Sequence, residues 1–326
     1  MKSKVVIGTR SSKLALWQAD HIAGLLRRAH PDVLIEQKHI VTTGDKILDV
    51  PLAKIGGKGL FTKELEIAML AGEIDLAVHS LKDVPAELPA GLGLAAITGR
   101  SEPQDAFVSL KYKNWSELPL QAVVGTSSLR RQAQLLRQRP DLSIVSLRGN
   151  LDTRLRKLDE GQFDAIILAA AGLRRLGWGD RISSLLPVDV CLPAVGQGVL
   201  AIETRLDDAE IHEFVACLDD AVSRACVTAE RRFLSVVQGG CQAPLGVFAR
   251  LETGKIILRA RILSLDGHEC VEGEIAGLPA EALDMGESLA VRLLEAGGRE
   301  ILAELEQIKC KKGKFGWLAQ APAIRD

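Results

Sequence analysis

A short apolar stretch followed by Gly-Thr, paired hydroxyls and an arginine occurs twice in this chain. The first copy is Val5-Val6-Ile7-Gly8-Thr9-Arg10-Ser11-Ser12, and the second is Val123-Val124-Gly125-Thr126-Ser127-Ser128-Leu129-Arg130. Each reads as a strand turning into the first turn of an apolar-periodic helix. Strand-to-helix turns often use Gly, Ser and Thr, so either copy alone says little. Two copies about half a bilobed protein apart predict two similar α/β domains facing each other.

The surrounding pattern agrees. Residues 5–8 form a strand, 12–30 a helix stopped by Pro31, and 34–41 a strand. Thr62 caps a helix with Leu65, Met69 and Leu70 on one face and Gly72 at its end. Strands follow at 75–80 and 94–98. The alternation resumes with a strand at 122–125, a helix at 127–138, a strand at 144–147, a helix near 151–160 and a strand at 165–169. Such alternation predicts parallel or mixed sheets covered on both faces. Pro and Gly mark candidate hinges at 99–104 and 192–198.

After Asp207 the texture changes. Residues 209–237 are largely helical, with Phe214, Val215, Leu218, Val222, Phe233 and Leu234 as apolar positions. Residues 245–251, 255–265 and 269–276 read as an antiparallel meander around Gly254 and Gly267. A second helical stretch covers 280–308 with Leu289, Leu293, Ile301 and Leu305 in register. The expected class is α/β: two α/β lobes plus a small α+β third domain with a three-stranded antiparallel sheet, then a basic tail at 309–326.

Composition narrows the function. The 326 residues carry 41 Lys+Arg against 42 Asp+Glu, with 12 aromatics. A near-neutral chain with few rings argues against a nucleic-acid surface. Six cysteines (Cys191, Cys217, Cys226, Cys241, Cys270, Cys310) include no C-x-x-C pair, which fits a reducing compartment. The histidines show no zinc spacing, so no metal is expected. No signal-peptide core or membrane-length apolar run is found, and the cytoplasm is the expected location. Nothing demands more than a monomer.

Four constellations carry chemistry. Thr126-Ser127-Ser128-Leu129-Arg130-Arg131 places hydroxyls, free N–H groups and two guanidiniums at a helix N-terminus, the components of a carboxylate or phosphate site. A cap with solvated arginines is the plain alternative. More arginines follow at turn positions, Arg148, Arg154, Arg174 and Arg175. Residues 121–180 hold nine Arg and one Lys against six acids, a local excess of +4. The bias to Arg favours bidentate pairing with carboxylates. Lys54 and Ile55-Gly56-Gly57-Lys58-Gly59-Leu60-Phe61 suggest a charged lid or a plain flexible loop, and the spacing is not that of a P-loop. His79-Ser80-Leu81-Lys82-Asp83-Val84-Pro85 closes a strand where ligands of open α/β sheets gather. There a carboxylate suits cation stabilisation or proton transfer. Gly239-Gly240-Cys241-Gln242 sets a cysteine on a loop with no packing reason, so attachment or nucleophilic chemistry has weight beside a small buried hydrophobe.

These motifs, in this order, closely resemble the porphobilinogen deaminase (hydroxymethylbilane synthase) family, from Gly8-Thr9-Arg10 through Arg148-Gly149-Asn150 and Gly196-Gln197-Gly198 to Gly240-Cys241-Gln242. The resemblance implies two periplasmic-binding-protein-like lobes and a third domain. The expected division is 1–98 with 199–218, then 99–198, then 219–326. It further implies a transferase that joins four porphobilinogen molecules into linear hydroxymethylbilane, releasing ammonia. The growing chain is carried on a dipyrromethane cofactor held through a thioether to Cys241.

The resemblance makes Asp83 the catalytic carboxylate, contacting the pyrrole N–H and stabilising the azafulvene cation left as ammonia departs. Lys82, Thr126, Ser127, Ser128, Arg130, Arg131 and Arg154 are the expected cofactor-binding residues. Arg10, Ser12, Arg148, Arg154, Arg175 and Gln197 are the expected substrate-binding residues, and Lys54, Lys58 and Phe61 form the lid. Two other readings fit the residues: a non-catalytic two-lobed carboxylate sensor, and a transferase using Cys241 as a transient nucleophile.

Overall fold

A computed structural model of the protein describes residues 2–43, 62–237 and 243–312. The chain begins β1 (Lys4–Thr9), α1 (Lys13–Ala29), β2 (Leu34–His39), α2 (Lys63–Leu70), β3 (Leu76–Ser80), β4 (Leu92–Ile97). It continues β5 (Asp105–Val108), β6 (Val123–Gly125), α3 (Leu129–Gln138), β7 (Ser143–Val145), α4 (Leu151–Asp159), β8 (Ala165–Ala169), α5 (Ala170–Arg175), β9 (Ser184–Leu185) and β10 (Leu200–Arg205). The last part is α6 (Ala209–Val215), α7 (Ala221–Val237), β11 (Leu245–Glu252), β12 (Lys255–Leu263), β13 (Cys270–Gly277), α8 (Ala282–Leu293) and α9 (Arg299–Lys312).

Local chemistry explains the element ends. The Ser12 hydroxyl accepts the Ala15 N–H at 3.3 Å and starts α1, and Arg27 and Arg28 sit in its last turn, favoured by the helix dipole. Ile22 and Leu26 of α1 are buried against Val5, Ile7, Leu76 and Val78. At about 1.5–3 kcal/mol per fully buried aliphatic side chain, this contact outweighs the modest propensities of the strands.

Two five-stranded sheets share one plan. Their orders are β2-β1-β3-β10-β4 and β7-β6-β8-β5-β9. In the first, β1 is parallel to β2 and β3, while β10 is antiparallel to β3 and β4. In the second, β6 is parallel to β7 and β8, while β5 is antiparallel to β8 and β9. The two Gly-Thr turns leave β1 and β6, which hold the same place in their sheets. Two segments, 98–104 and 186–199, cross side by side between the sheets, tied by Ser101 N–H to the Gly198 carbonyl at 3.1 Å. The third sheet, β11-β12-β13, is antiparallel and packs on α7 and α8 through Phe233, Val247, Leu258 and Leu289.

Several expectations are corrected. Leu70 and Val222 are exposed, at 52% and 47%, because each lies off the buried face of its helix. Thr62 precedes α2 but makes no side-chain cap bond, its backbone being already helical. The stretch 209–237 is broken by a 3-10 turn at Ala216–Leu218, after which the Asp220 carboxylate caps α7 through Ser223 N–H at 2.7 Å. The stretch 280–308 is interrupted where Gly297 takes φ 112°. Strands β5, β9 and β10 are additional, and buried Asp105 and Glu203 obscure the apolar pattern of two of them. No helix among the described residues is long and apolar enough to cross a membrane.

Candidate functional site

The expected site residues follow the carboxyl ends of parallel strands. Arg10 follows β1. Lys82 and Asp83 lie on the 3-10 turn after β3, Thr126–Ser128 follow β6, and Arg148 follows β7. Arg175 ends α5, the helix that continues directly from β8. Electrostatics brings the two sheets together. The Lys82 ammonium is pushed down to about 8, by burial first, with Asp83 and Asp105 opposing and Arg131 and Arg130 adding to the shift. Burial likewise pushes Arg154 down to about 10; Arg131 and Arg148 lower it further, and Asp83 opposes. Asp83, itself exposed, is thus near enough to Arg154 of the second α/β unit for its charge to be felt there.

Asp105 organises the arginine pair and is the residue that the sequence pattern did not single out. Its carboxylate accepts from Arg130 Nη1 at 2.7 Å and Nη2 at 3.3 Å, Arg131 Nη2 at 2.8 Å and Gln197 Nε2 at 2.9 Å. Burial alone would raise its pKa, but the two guanidiniums hold it well below the usual carboxylate range. Removing one partner of such a buried cluster costs about 3–5 kcal/mol. An acid opening the apolar run Asp105-Ala106-Phe107-Val108 is the signal that could have found it.

The remaining candidates divide by what they already touch. Arg130 also donates to the Leu192 carbonyl at 2.7 Å, so its fork is largely committed within the protein. Arg131 donates to the Ile167 carbonyl at 2.9 Å, while its buried Nε has no hydrogen-bond partner. Ser128 caps α3 by accepting from Arg131 N–H at 3.4 Å, and Thr126 accepts from Ser128 N–H at 3.2 Å. The Ser127 hydroxyl donates to the Leu147 carbonyl at 2.6 Å. Gln197 also donates to the Pro103 carbonyl at 2.7 Å, leaving its buried Oε1 without a partner. Arg154 Nε donates to the Gly149 carbonyl at 2.8 Å, and burial lowers the pKa of Arg148. Arg175 reaches the crossing segments, donating to the Gly198 carbonyl at 2.9 Å and the Ser101 hydroxyl at 3.4 Å. Both partners are neutral, and burial pushes its guanidinium down to about 10. Gln18, not singled out earlier, donates to the Ser80 hydroxyl at 2.7 Å and ties α1 to the end of β3.

Cys241, Lys54, Lys58 and Phe61 lie outside the described residues. Of the described cysteines, Cys191 is pushed up to about 12 and Cys226 to about 11, chiefly by burial, and Cys217 and Cys270 are also raised. These four are free thiols and poor nucleophiles. Among the described residues no cluster of His, Cys, Asp and Glu could hold a metal ion. Desolvated guanidiniums, one with an orphaned Nε, suit a ligand bearing several carboxylates.

Comparison with known proteins agrees. The family model described as porphobilinogen deaminase, dipyromethane cofactor binding domain, matches residues 5–213. The porphobilinogen deaminase C-terminal domain matches residues 224–295. A curated porphobilinogen deaminase of Desulforudis audaxviator (strain MP104C) is 54% identical over 305 residues, 94% of this chain and 99% of its own length. Among solved structures, the methionine binding protein MetQ aligns with a TM-score of 0.43 at 16% identity, over 66% of this chain and 90% of its own. A nutrient binding protein from Burkholderia cenocepacia bound to methionine gives 0.41 at 12% identity, over 65% and 90%. The chain belongs to the porphobilinogen deaminase family, transferases of tetrapyrrole biosynthesis that use a dipyrromethane cofactor to join four porphobilinogen molecules into hydroxymethylbilane.

Proposed function

We propose that the strand-end cleft is the polymerisation site, with Asp83 as its catalytic carboxylate and Cys241 as the cofactor anchor. The observation that carries this reading is the placement of Asp83: one exposed carboxylate on the turn after β3, whose charge is felt by Lys82 beside it and by Arg154 of the second α/β unit. The donor set fits a dipyrromethane, whose acetates and propionates match the orphaned Arg131 Nε and the desolvated Arg154. When bound, that cofactor supplies the pyrrole α-carbon to which the first substrate is joined.

The chain's own residues do the rest. Lys82, Arg131 and Arg154, with the hydroxyl-rich turn at 126–128, hold cofactor carboxylates. Arg130 supports them from behind through Asp105. Arg10, Ser12, Arg148, Arg154 and Arg175 take the substrate's acetate and propionate, and Gln197, whose amide N–H groups are committed to Asp105 and Pro103, offers the substrate its Oε1 as an acceptor. Each charged hydrogen bond is worth about 1.5–3 kcal/mol, so several retain a growing polyanion between additions. Asp83 accepts the pyrrole N–H of the substrate and stabilises the cation formed as its C–N bond breaks. It passes a proton to the departing amine and receives the one lost from the attacked α-carbon. Lys54, Lys58 and Phe61 would cover the cleft.

The same reading divides the chain into 1–98 with 199–218, 99–198 and 219–326, the third unit carrying Cys241. It takes the protein to be a cytoplasmic monomer acting on porphobilinogen without nucleic acid or membrane. The free state of Cys191, Cys217, Cys226 and Cys270 supports a reducing setting. Asp83→Asn, which keeps the shape and removes the charge, should lower kcat by about 100-fold or more in a steady-state assay of hydroxymethylbilane formation. Full activity in that variant overturns the assignment.

A further inference from the structure

Arg231 lies on α7, ten residues before Cys241, and its guanidinium bonds the main chain of 84–86 rather than any of the proposed ligand-binding residues. Its guanidinium donates to three consecutive main-chain carbonyls: Pro85 at 2.8 Å and Ala86 at 2.9 Å from Nη2, and Val84 at 3.4 Å from Nη1. These are the residues by which the chain leaves Asp83. The segment holds a proline and belongs to no helix or strand, so its carbonyls need donors from elsewhere.

One turn earlier on the same face of α7, Val227 packs with Leu81 and Val84, the buried residues that flank Lys82 and Asp83. The helix thus grips the turn twice, with an apolar contact and a polar one four residues apart. The neighbouring Glu230 accepts Gly196 N–H at 2.7 Å, Ala249 N–H at 2.8 Å and Arg100 Nη2 at 2.7 Å. The crossing segment and β11 are therefore seated on this helix as well. Burial lowers the pKa of Arg231, partly offset by the charge of Glu203. A desolvated guanidinium spent on neutral carbonyls serves geometry, since only its planar fork spans three acceptors.

We propose that Arg231 is a positioning residue for Asp83, fixing the catalytic turn to α7, the helix that precedes Cys241 in the chain. The inference rests on the roles proposed above for Asp83 and Cys241. A misplacement of about 1 Å can cost about 100-fold in rate without contact to the ligand. Loss of the clamp should therefore act on kcat and spare KM.

The test compares Arg231→Gln and Arg231→Lys holoenzymes. Arg231→Gln should keep the cofactor by intact mass and hold KM within about twofold, while kcat falls about tenfold or more. Arg231→Lys should recover part of kcat, because an ammonium can still reach one or two of the carbonyls. If Arg231→Gln does not fold, Val227→Ala loosens the same grip and should lower kcat at unchanged KM. Wild-type kcat in Arg231→Gln overturns the proposal. So does a fall in kcat that only tracks lost melting temperature and lost cofactor, equally in Gln and Lys variants. Asp83→Asn measured alongside separates the two readings: activity there defeats the role of Asp83, whereas an inactive Asp83→Asn beside an unimpaired Arg231→Gln defeats the clamp alone.

Discussion

Lys82 shows how one residue can hold a pH-dependent share of ligand affinity. Burial, with Arg131 and Arg130 nearby, pushes its ammonium down to about 8 from an ordinary 10.5. Because the folded value is the lower one, the stability linked to this group is present above about 10.5 and is lost as pH falls through about 8. Between those limits the empty cleft leaves Lys82 neutral where an exposed lysine would be charged. A bound carboxylate restores the charge, so binding takes up a proton in that window. The yield of covalent cofactor adduct when the apoprotein is loaded at limiting ligand, read by intact mass, should fall above pH 8 by up to about tenfold per pH unit, and Lys82→Gln should flatten that fall relative to wild type. Parallel profiles for the two proteins would contradict this account. Sequence spacing made Arg130 and Arg131 look like equivalent ligand partners. Only the structure distinguishes Arg130, committed to Asp105 and the Leu192 carbonyl, from Arg131, whose Nε is left over.

At the scale of elements, α3 carries the argument. Its first turn presents Arg130 and Arg131, and its far side receives the β12–β13 turn. Gly267 in that turn has φ 75°, and a Cβ there would meet the Ala133 carbonyl oxygen and lie 2.6 Å from Arg137 N. Backbone atoms cannot yield as a side-chain end can. Gly267→Ala should cost about 2 kcal/mol or more, read as a lower denaturation midpoint, whereas Gly254→Ala (φ 80°, open space) pays only conformational strain. Equal midpoints for the two variants would contradict the close approach. Helices with strong local signals were legible in the sequence to within a residue or two, as Ser12 and Ser128 as caps illustrate. Strand β10 was not, because Glu203 and Thr204 are buried polar residues, and the partner of Glu203 comes from a distant strand: it bonds His79 of β3 at 2.9 Å. Pattern reading assigns such residues to the surface.

At the scale of the whole molecule, a repeated strand-Gly-Thr-helix motif becomes two sheets of one plan whose parallel strand ends carry the cations. The net charge of -1 hides this partition. The seven acids Glu281, Asp284, Glu287, Glu295, Glu300, Glu304 and Glu306 are exposed on or beside α8 and α9, while Arg130, Arg131, Arg154 and Arg175 are wholly or partly buried. Positive charge gathered at the strand ends and partly desolvated there suits a small polycarboxylate better than an extended polyanion surface. The central claim, that this cleft elongates a polypyrrole chain anchored at Cys241, is met most directly by the intact mass of the purified holoenzyme. The account predicts an adduct of two pyrrole units that survives denaturation, is absent from Cys241→Ser, and grows in single-pyrrole steps when porphobilinogen is added. An active enzyme with no adduct, or an adduct retained in Cys241→Ser, would contradict it.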